Sequence, residues 1–104
     1  MVRIKEDLKI LKEKALGNCW PDEAFWVCNG TILKSLYELL DHISKADNWT
    51  FKYHVNDNNN KNDFAKWIRD VFKDSKLADE LDDVKDKKKY VKILQKRIKQ
   101  LESA

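Results

Sequence analysis

Glycine and proline are scarce in this chain of 104 residues, which has two glycines, Gly17 and Gly30, and one proline, Pro21. Sandwiches and small barrels need a turn about every 8 to 12 residues, and those turns draw heavily on glycine and proline. Their scarcity favours helices joined by few sharp breaks. Two glycines also exclude a phosphate-cradling loop or a dinucleotide-binding turn, which need several positions free of a Cβ atom. No run approaches the ~18 to 20 consecutive apolar residues of a membrane-spanning helix, and the first residues are charged rather than an apolar signal core. The expectation is a cytoplasmic protein without membrane contact. Cysteine is equally rare: Cys19 and Cys28 are the only two, and without a secretory signal they are expected as free thiols. The sequons at Asn29 and Asn48 are then silent, because glycosylation requires secretion.

Hydrophobic residues make up 42% and charged residues 38%, a mixture apolar enough to fold and of the size of one domain, 1–104. The net charge of +3 conceals an asymmetry: residues 22 to 84 carry eight basic and thirteen acidic groups, residues 85 to 104 eight and two. Such a distribution either steers an anionic partner or holds the basic end against an acidic body.

Apolar periodicity organises the chain into helices. Ile4, Leu8, Leu11 and Ala15 form a stripe that predicts a helix from Arg3 to Leu16, with Gly17 as a left-handed cap. Phe25 to Cys28, then Asn29-Gly30, then Thr31 to Leu33 has the pattern of a very short hairpin near residues 25–33. Ser35 and Glu38 have capping-box spacing ahead of Leu36, Leu39, Leu40 and Ile43. Asp47 opens a shorter helix carrying Phe51 and Val55, and the asparagine-rich stretch from Asn56 to Asn62 is a loop. Asn62 or Asp63 caps a helix with Phe64, Trp67, Ile68 and Val71 inward and Lys66 paired with Asp70 outward. Asp74 caps a helix with Leu77, Leu81 and Val84, and Asp86 caps a last one with Tyr90, Val91, Leu94, Ile98 and Leu101 inward. The predicted fold is all-α, a compact bundle of five or six short helices.

Catalytic and metal chemistry find little support. The gaps between Cys19 and Cys28 and between His42 and His54 do not match zinc knuckles or helical histidine pairs, so neither a metal nor any other cofactor is expected. Cys28 could meet His54 or His42 only through the fold. No nucleophile, base and oxyanion donor occur together. The expectation is a non-catalytic protein.

Two constellations stand out. The first is Phe51-Lys52-Tyr53-His54-Val55-Asn56 followed by Lys61-Asn62-Asp63-Phe64-Ala65-Lys66-Trp67-Ile68-Arg69-Asp70-Val71. It resembles the signature of an uncharacterised small domain of archaea and bacteria, with the Phe25 to Leu40 stretch fitting as well. The resemblance covers roughly residues 24 to 84 and implies a helical domain without an assigned activity; this chain departs from it by lengthening the loop with Asn58, Asn59 and Asn60. On physical grounds, a protonated His54 would meet the C-terminal dipole of one helix while Asn62 or Asp63 caps the next, tying two helix ends across a loop. The alternative is a recognition pocket containing His54, Asn56, Asn62 and Asp63, rimmed by Trp49, Tyr53 and Trp67. Trp67 also shares a face with core residues.

The second constellation is Lys88, Lys92, Lys96 and Lys99, spaced four, four and three along the outer side of the last helix. A basic ridge of this kind suits phosphate backbones, although a solvated helix face is its commoner use. The sequence thus predicts an interaction module whose partner is another protein, with weak, sequence-independent nucleic-acid binding through the lysine ridge as the alternative and a small-ligand or enzyme site around His54 third.

Overall fold

The computed structural model describes residues 4–56 and 61–104. Arg3, the side chains of Ile4 and Leu8, and the asparagine-rich residues 57–60 lie outside the described residues. The fold is mostly helical, as expected. Helix α1 spans Ile4–Leu16, and a single 3-10 turn at Pro21–Glu23 leads into a hairpin of β1 (Phe25–Trp26) and β2 (Ile32–Leu33). Helices α2 (Leu36–Lys45) and α3 (Asn48–His54) follow, then a second hairpin of β3 (Val55–Asn56) and β4 (Lys61–Asn62). Helix α4 (Asp63–Trp67) continues as a π-helical turn at Ile68–Phe72, ahead of α5 (Ser75–Asp82) and α6 (Lys87–Glu102). Among the described residues no helix is long and apolar enough to cross a membrane.

Side-chain caps set the helix starts. Ser35, Asp47, Asn62, Asp74 and Asp86 each accept from the amide three residues on, at 2.8 to 3.2 Å. Each satisfies an amide the helix leaves without a partner, worth about 1 kcal/mol per cap. Between the two cap candidates, Asn62 takes the role and Asp63 becomes the first helical residue. The Ser35 capping box is displaced by one position: Glu38 Oε1 accepts from Lys34 N–H at 2.6 Å rather than from Ser35. Lys34 follows β2, and its amide is the donor facing that carboxylate.

Other local expectations are corrected. Gly17 ends α1 without a left-handed backbone; Gly30, at φ 93°, is the glycine that needs one. The Val27 amide donates to Thr31 O and the Gly30 amide to Val27 O, both at 2.8 Å. The turn therefore spans three residues, with Gly30 as the left-handed closing residue of a bulge rather than part of a two-residue turn. Val55 belongs to β3, not α3, and pairs with Asn62. The π turn breaks the regular spacing after Trp67, so no ion pair joins Lys66 and Asp70, and Phe72 becomes fully buried while Val71 is only partly so. It ends at Lys73 in the left-handed region, φ 62°.

The core lies where α6 crosses α2 and α1. Tyr90, Leu94, Ile98 and Leu101 of α6 are buried with Leu36, Leu39 and Ile43 of α2 and Ala15 of α1. Phe51 and Phe64 pack on the Tyr90 ring, with centroids 5.3 and 6.3 Å away. Each such side chain contributes roughly 1.5 to 3 kcal/mol on burial. One charged pair shares this interior: Arg97 Nε and Nη2 donate to Asp74 Oδ2 and Oδ1 at 2.8 and 3.0 Å, both side chains buried.

Candidate functional site

His54, at the end of α3, is 4% exposed and makes two hydrogen bonds to distant parts of the chain. Its Nε2 lies 3.0 Å from the Cys28 amide in the first hairpin turn, and its Nδ1 lies 2.8 Å from Asp63 Oδ2 at the start of α4. Because the amide can only donate, Nε2 must be the acceptor, which leaves the ring proton on Nδ1 to be donated to Asp63. The tie between two helix ends is thus present. It goes beyond the expectation, since Nε2 faces a main-chain N–H and so ties in a third element, the hairpin turn. Phe25, Tyr53 and Phe64 surround the ring at centroid distances of 4.9 to 5.2 Å. Lys61 Nζ stands 3.3 Å from the Asp63 carboxylate and 4.4 Å from the Tyr53 ring centre.

Asn62 is a buttress as well as a cap. Its Oδ1 also accepts from the Tyr90 hydroxyl at 2.7 Å, and its Nδ2 donates to Leu81 O at 2.8 Å, joining α4, α5 and α6. Asn56 Nδ2 turns back to Lys52 O at 2.8 Å. Trp67 is 7% exposed, donates its indole N–H to Glu23 O at 2.7 Å, and packs on Phe25 and Phe72. Trp67 therefore forms no pocket rim with Trp49 and Tyr53. Those two stay outside, their rings 5.8 Å apart on α3. The expected site divides into an internal network of His54, Asn62, Asp63 and Trp67 and an outward aromatic pair.

The fold does bring Cys28, His54 and Asp63 together, with aspartate and histidine oriented as in a nucleophile-activating triad. The base position is occupied, however. Nε2 takes the main-chain N–H of Cys28, and among the described residues its thiol makes no hydrogen bond. His42 lies near Phe64, its Nε2 buried without a hydrogen-bond partner among the described residues, and burial first, then the neighbouring His54, lowers its pKa from the usual imidazole value. Among the described residues, no group of three or more His, Cys, Asp or Glu is placed to hold a metal ion.

Residues 24–103 match the profile of a family of unknown function, DUF5752. The chain belongs to that family. The match extends past the region of resemblance to take in α6, so the basic helix lies within the DUF5752 domain, whereas α1 lies outside the matched residues. No curated protein and no solved structure matches the chain.

The surface of this DUF5752 protein carries two features. Trp20, Trp26 and Trp49 are 73%, 68% and 69% exposed, so three of the four tryptophans lie outside the core. Trp26 stands opposite Ile32 in the hairpin register, and both are exposed, whereas Phe25 packs inward on His54, Phe64 and Trp67. Alternation in the hairpin was the signal available for Trp26: once Phe25 points inward, its neighbour must point out. The other feature is the lysine ridge. Lys88, Lys92, Lys96 and Lys99 are all exposed, and none forms an ion pair among the described residues.

Proposed function

We propose that this protein is a non-catalytic protein-interaction module. In it the His54, Asn62, Asp63 and Trp67 network is scaffold, and the outward aromatic residues are the contact. One observation carries the reading: three of the four tryptophans stand about seventy per cent exposed beside a closed apolar core. Exposed tryptophan costs solubility when nothing covers it, and tryptophan is enriched among residues that dominate binding energy at interfaces. Trp49 and Tyr53, side by side on α3, and Trp26 with Ile32, on the hairpin, are the contact residues assigned.

The test uses the whole chain as bait in crosslinking capture from its native cell, beside Trp26→Ala and Trp49→Ala variants. Both substitutions leave the unfolding free energy within about 0.5 kcal/mol of wild type, as exposed positions do. Loss of the same captured protein from both folded variants supports the module. Equal capture by wild type and both variants overturns it.

A second reading rests on the four unpaired lysines of α6. Such a ridge favours sequence-independent contact with a phosphate backbone, which must weaken steeply as salt rises. Replacing Lys88, Lys92, Lys96 and Lys99 with glutamine abolishes such binding with little loss of stability, and retained binding by the folded variant removes this helix from consideration.

A further inference from the structure

We propose that the cleft between β2 and α2 binds an extended peptide whose apolar residues alternate with basic ones, laid along the open edge of β2. The proposal rests on the interaction-module reading and names the chemistry of one partner segment.

The first observation is an unused pair of backbone groups. Thr31 is bonded to Val27 across the hairpin, and the register pairs Trp26 with Ile32 and Phe25 with Leu33. Bonded and non-bonded pairs alternate in an antiparallel ladder, so Ile32 points its N–H and C=O away from β1. The next outward position is already filled: Lys34 N–H donates to Glu38 Oε1, and Lys34 O accepts from the Cys19 amide at 2.8 Å. In that ladder Ile32 N–H and C=O face away from β1, and among the described residues neither makes a hydrogen bond to another loop or side chain. A strand edge with open groups is a template for a further strand, and an extended peptide supplies the complementary carbonyl and amide.

The second observation is the space beside that edge. A cleft of about 510 Å³ is lined by Ile32, Tyr37, Glu38, Asp41, His42 and neighbouring residues of β2 and α2. Its lining runs from Asn29 and Thr31 of the turn through β2 to α2 and includes no residue of β1. Glu38 already lies against that edge through its bond to Lys34.

The chemistry of the occupant follows from these walls. A residue paired with Ile32 projects its side chain on the same face as Ile32 and Trp26, so an apolar side chain there continues an exposed apolar row. The residues before and after it project the other way, toward α2. There the Glu38 and Asp41 carboxylates favour lysine or arginine over an acidic side chain. Lys45 pairs with Asp41 at 2.9 Å on the exposed surface, a contact weak enough for a peptide cation to displace.

The test uses the full chain and three fluorescein-labelled probes: Lys-Val-Lys-Val-Lys, the same peptide with both valines N-methylated, and Glu-Val-Glu-Val-Glu. The basic peptide is expected to bind saturably and to shift the Ile32 amide resonance. N-methylation, which removes the donors needed by Ile32 C=O, weakens it at least tenfold, and the acidic peptide does not bind. Tyr37→Ala and Asp41→Asn each weaken binding several-fold while keeping the wild-type spectrum. Absence of saturable binding, or equal binding of the methylated and unmethylated peptides, overturns the proposal. A dimer in light scattering that Tyr37→Ala dissociates also overturns it, by assigning the cleft to a second copy of the chain. If a captured cellular partner is lost on Trp49→Ala but kept by Tyr37→Ala and Asp41→Asn, the cleft proposal fails and the interaction module stands.

Discussion

Asp74 and Arg97 meet through both carboxylate oxygens in the interior, and the Asp74 oxygen that accepts from Arg97 Nη2 also accepts from the Leu77 amide at the start of α5. One side chain thus caps a helix and neutralises a buried guanidinium. Removing a single partner from such a pair leaves an uncompensated charge, at a cost of about 3 to 5 kcal/mol. Asp74→Ala should be at least as damaging as Arg97→Leu, since it also removes the cap, worth about 1 kcal/mol. Urea midpoints for the two variants check this ordering. A loss under about 1 kcal/mol for both would mean that water reaches the pair.

The histidine network predicts unequal losses along its length. His54→Ala strands the Cys28 amide and opens a void among Phe25, Tyr53 and Phe64, so a cost on the order of 2 to 4 kcal/mol is expected. Asp63→Ala removes one hydrogen bond at a half-buried carboxylate and should cost about 1 kcal/mol. Lys66→Ala, on the exposed side, should lie within about 0.5 kcal/mol of wild type. Equal losses for His54→Ala and Lys66→Ala in chemical denaturation would refute the keystone role of the imidazole.

The two glycines separate backbone conformation from space. A Cβ at Gly30 meets nothing within 4 Å, so Gly30→Ala should cost about 1 to 2 kcal/mol through the left-handed backbone alone. A Cβ at Gly17 meets Glu13 O at 3.3 Å without a left-handed requirement, so Gly17→Ala should cost less. Thermal midpoints of the two variants decide. The reverse order would restore Gly17 as the conformational glycine.

Half-buried His42 and buried Tyr90 each make stability depend on pH. The pKa of His42 is lowered in the fold, chiefly by burial, so the unfolded chain takes up its proton first as pH falls. Stability from this group is present above the usual imidazole pKa, about 6.5, and is lost below it. Tyr90 is shifted the other way, first by burial and then by Asp82, so the unfolded chain gives up its proton first as pH rises. That contribution is present below the usual tyrosine pKa, about 10, and is lost above it. His42→Gln should flatten the acid limb of a midpoint-against-pH curve below about pH 6.5, and Tyr90→Phe should flatten the alkaline limb. Unchanged limbs in both variants would show that other groups set them.

Periodicity and caps were legible in the sequence because they are local. The helices at Leu36, Asn48, Ser75 and Lys87 begin where Ser35, Asp47, Asp74 and Asp86 placed them, since a cap acts on an amide three residues away. What failed depends on distant partners. Nothing near Val55 announces its pairing with Asn62, and the π turn at Ile68–Phe72 answers to the packing of Phe72 against Trp67. The second tie of His54 was missed because its partner is the Cys28 amide, twenty-six residues earlier. Arg97 offered a signal: it falls three residues after Leu94 and four before Leu101, inside the apolar stripe. Its aspartate could not be named without the fold.

The place of α1 bears on the order in which the protein is made. This helix packs chiefly on α6, and Lys12 Nζ reaches Glu102 O and Ala104 O at 3.2 and 3.3 Å. Roughly seventy residues lie between the two helices. At a synthesis rate of ~5 to 20 residues per second, α1 leaves the ribosome on the order of ten seconds before α6. During that interval its inward face, with Leu11 and Ala15, lacks its main surface, so α1 docks after α6 has emerged.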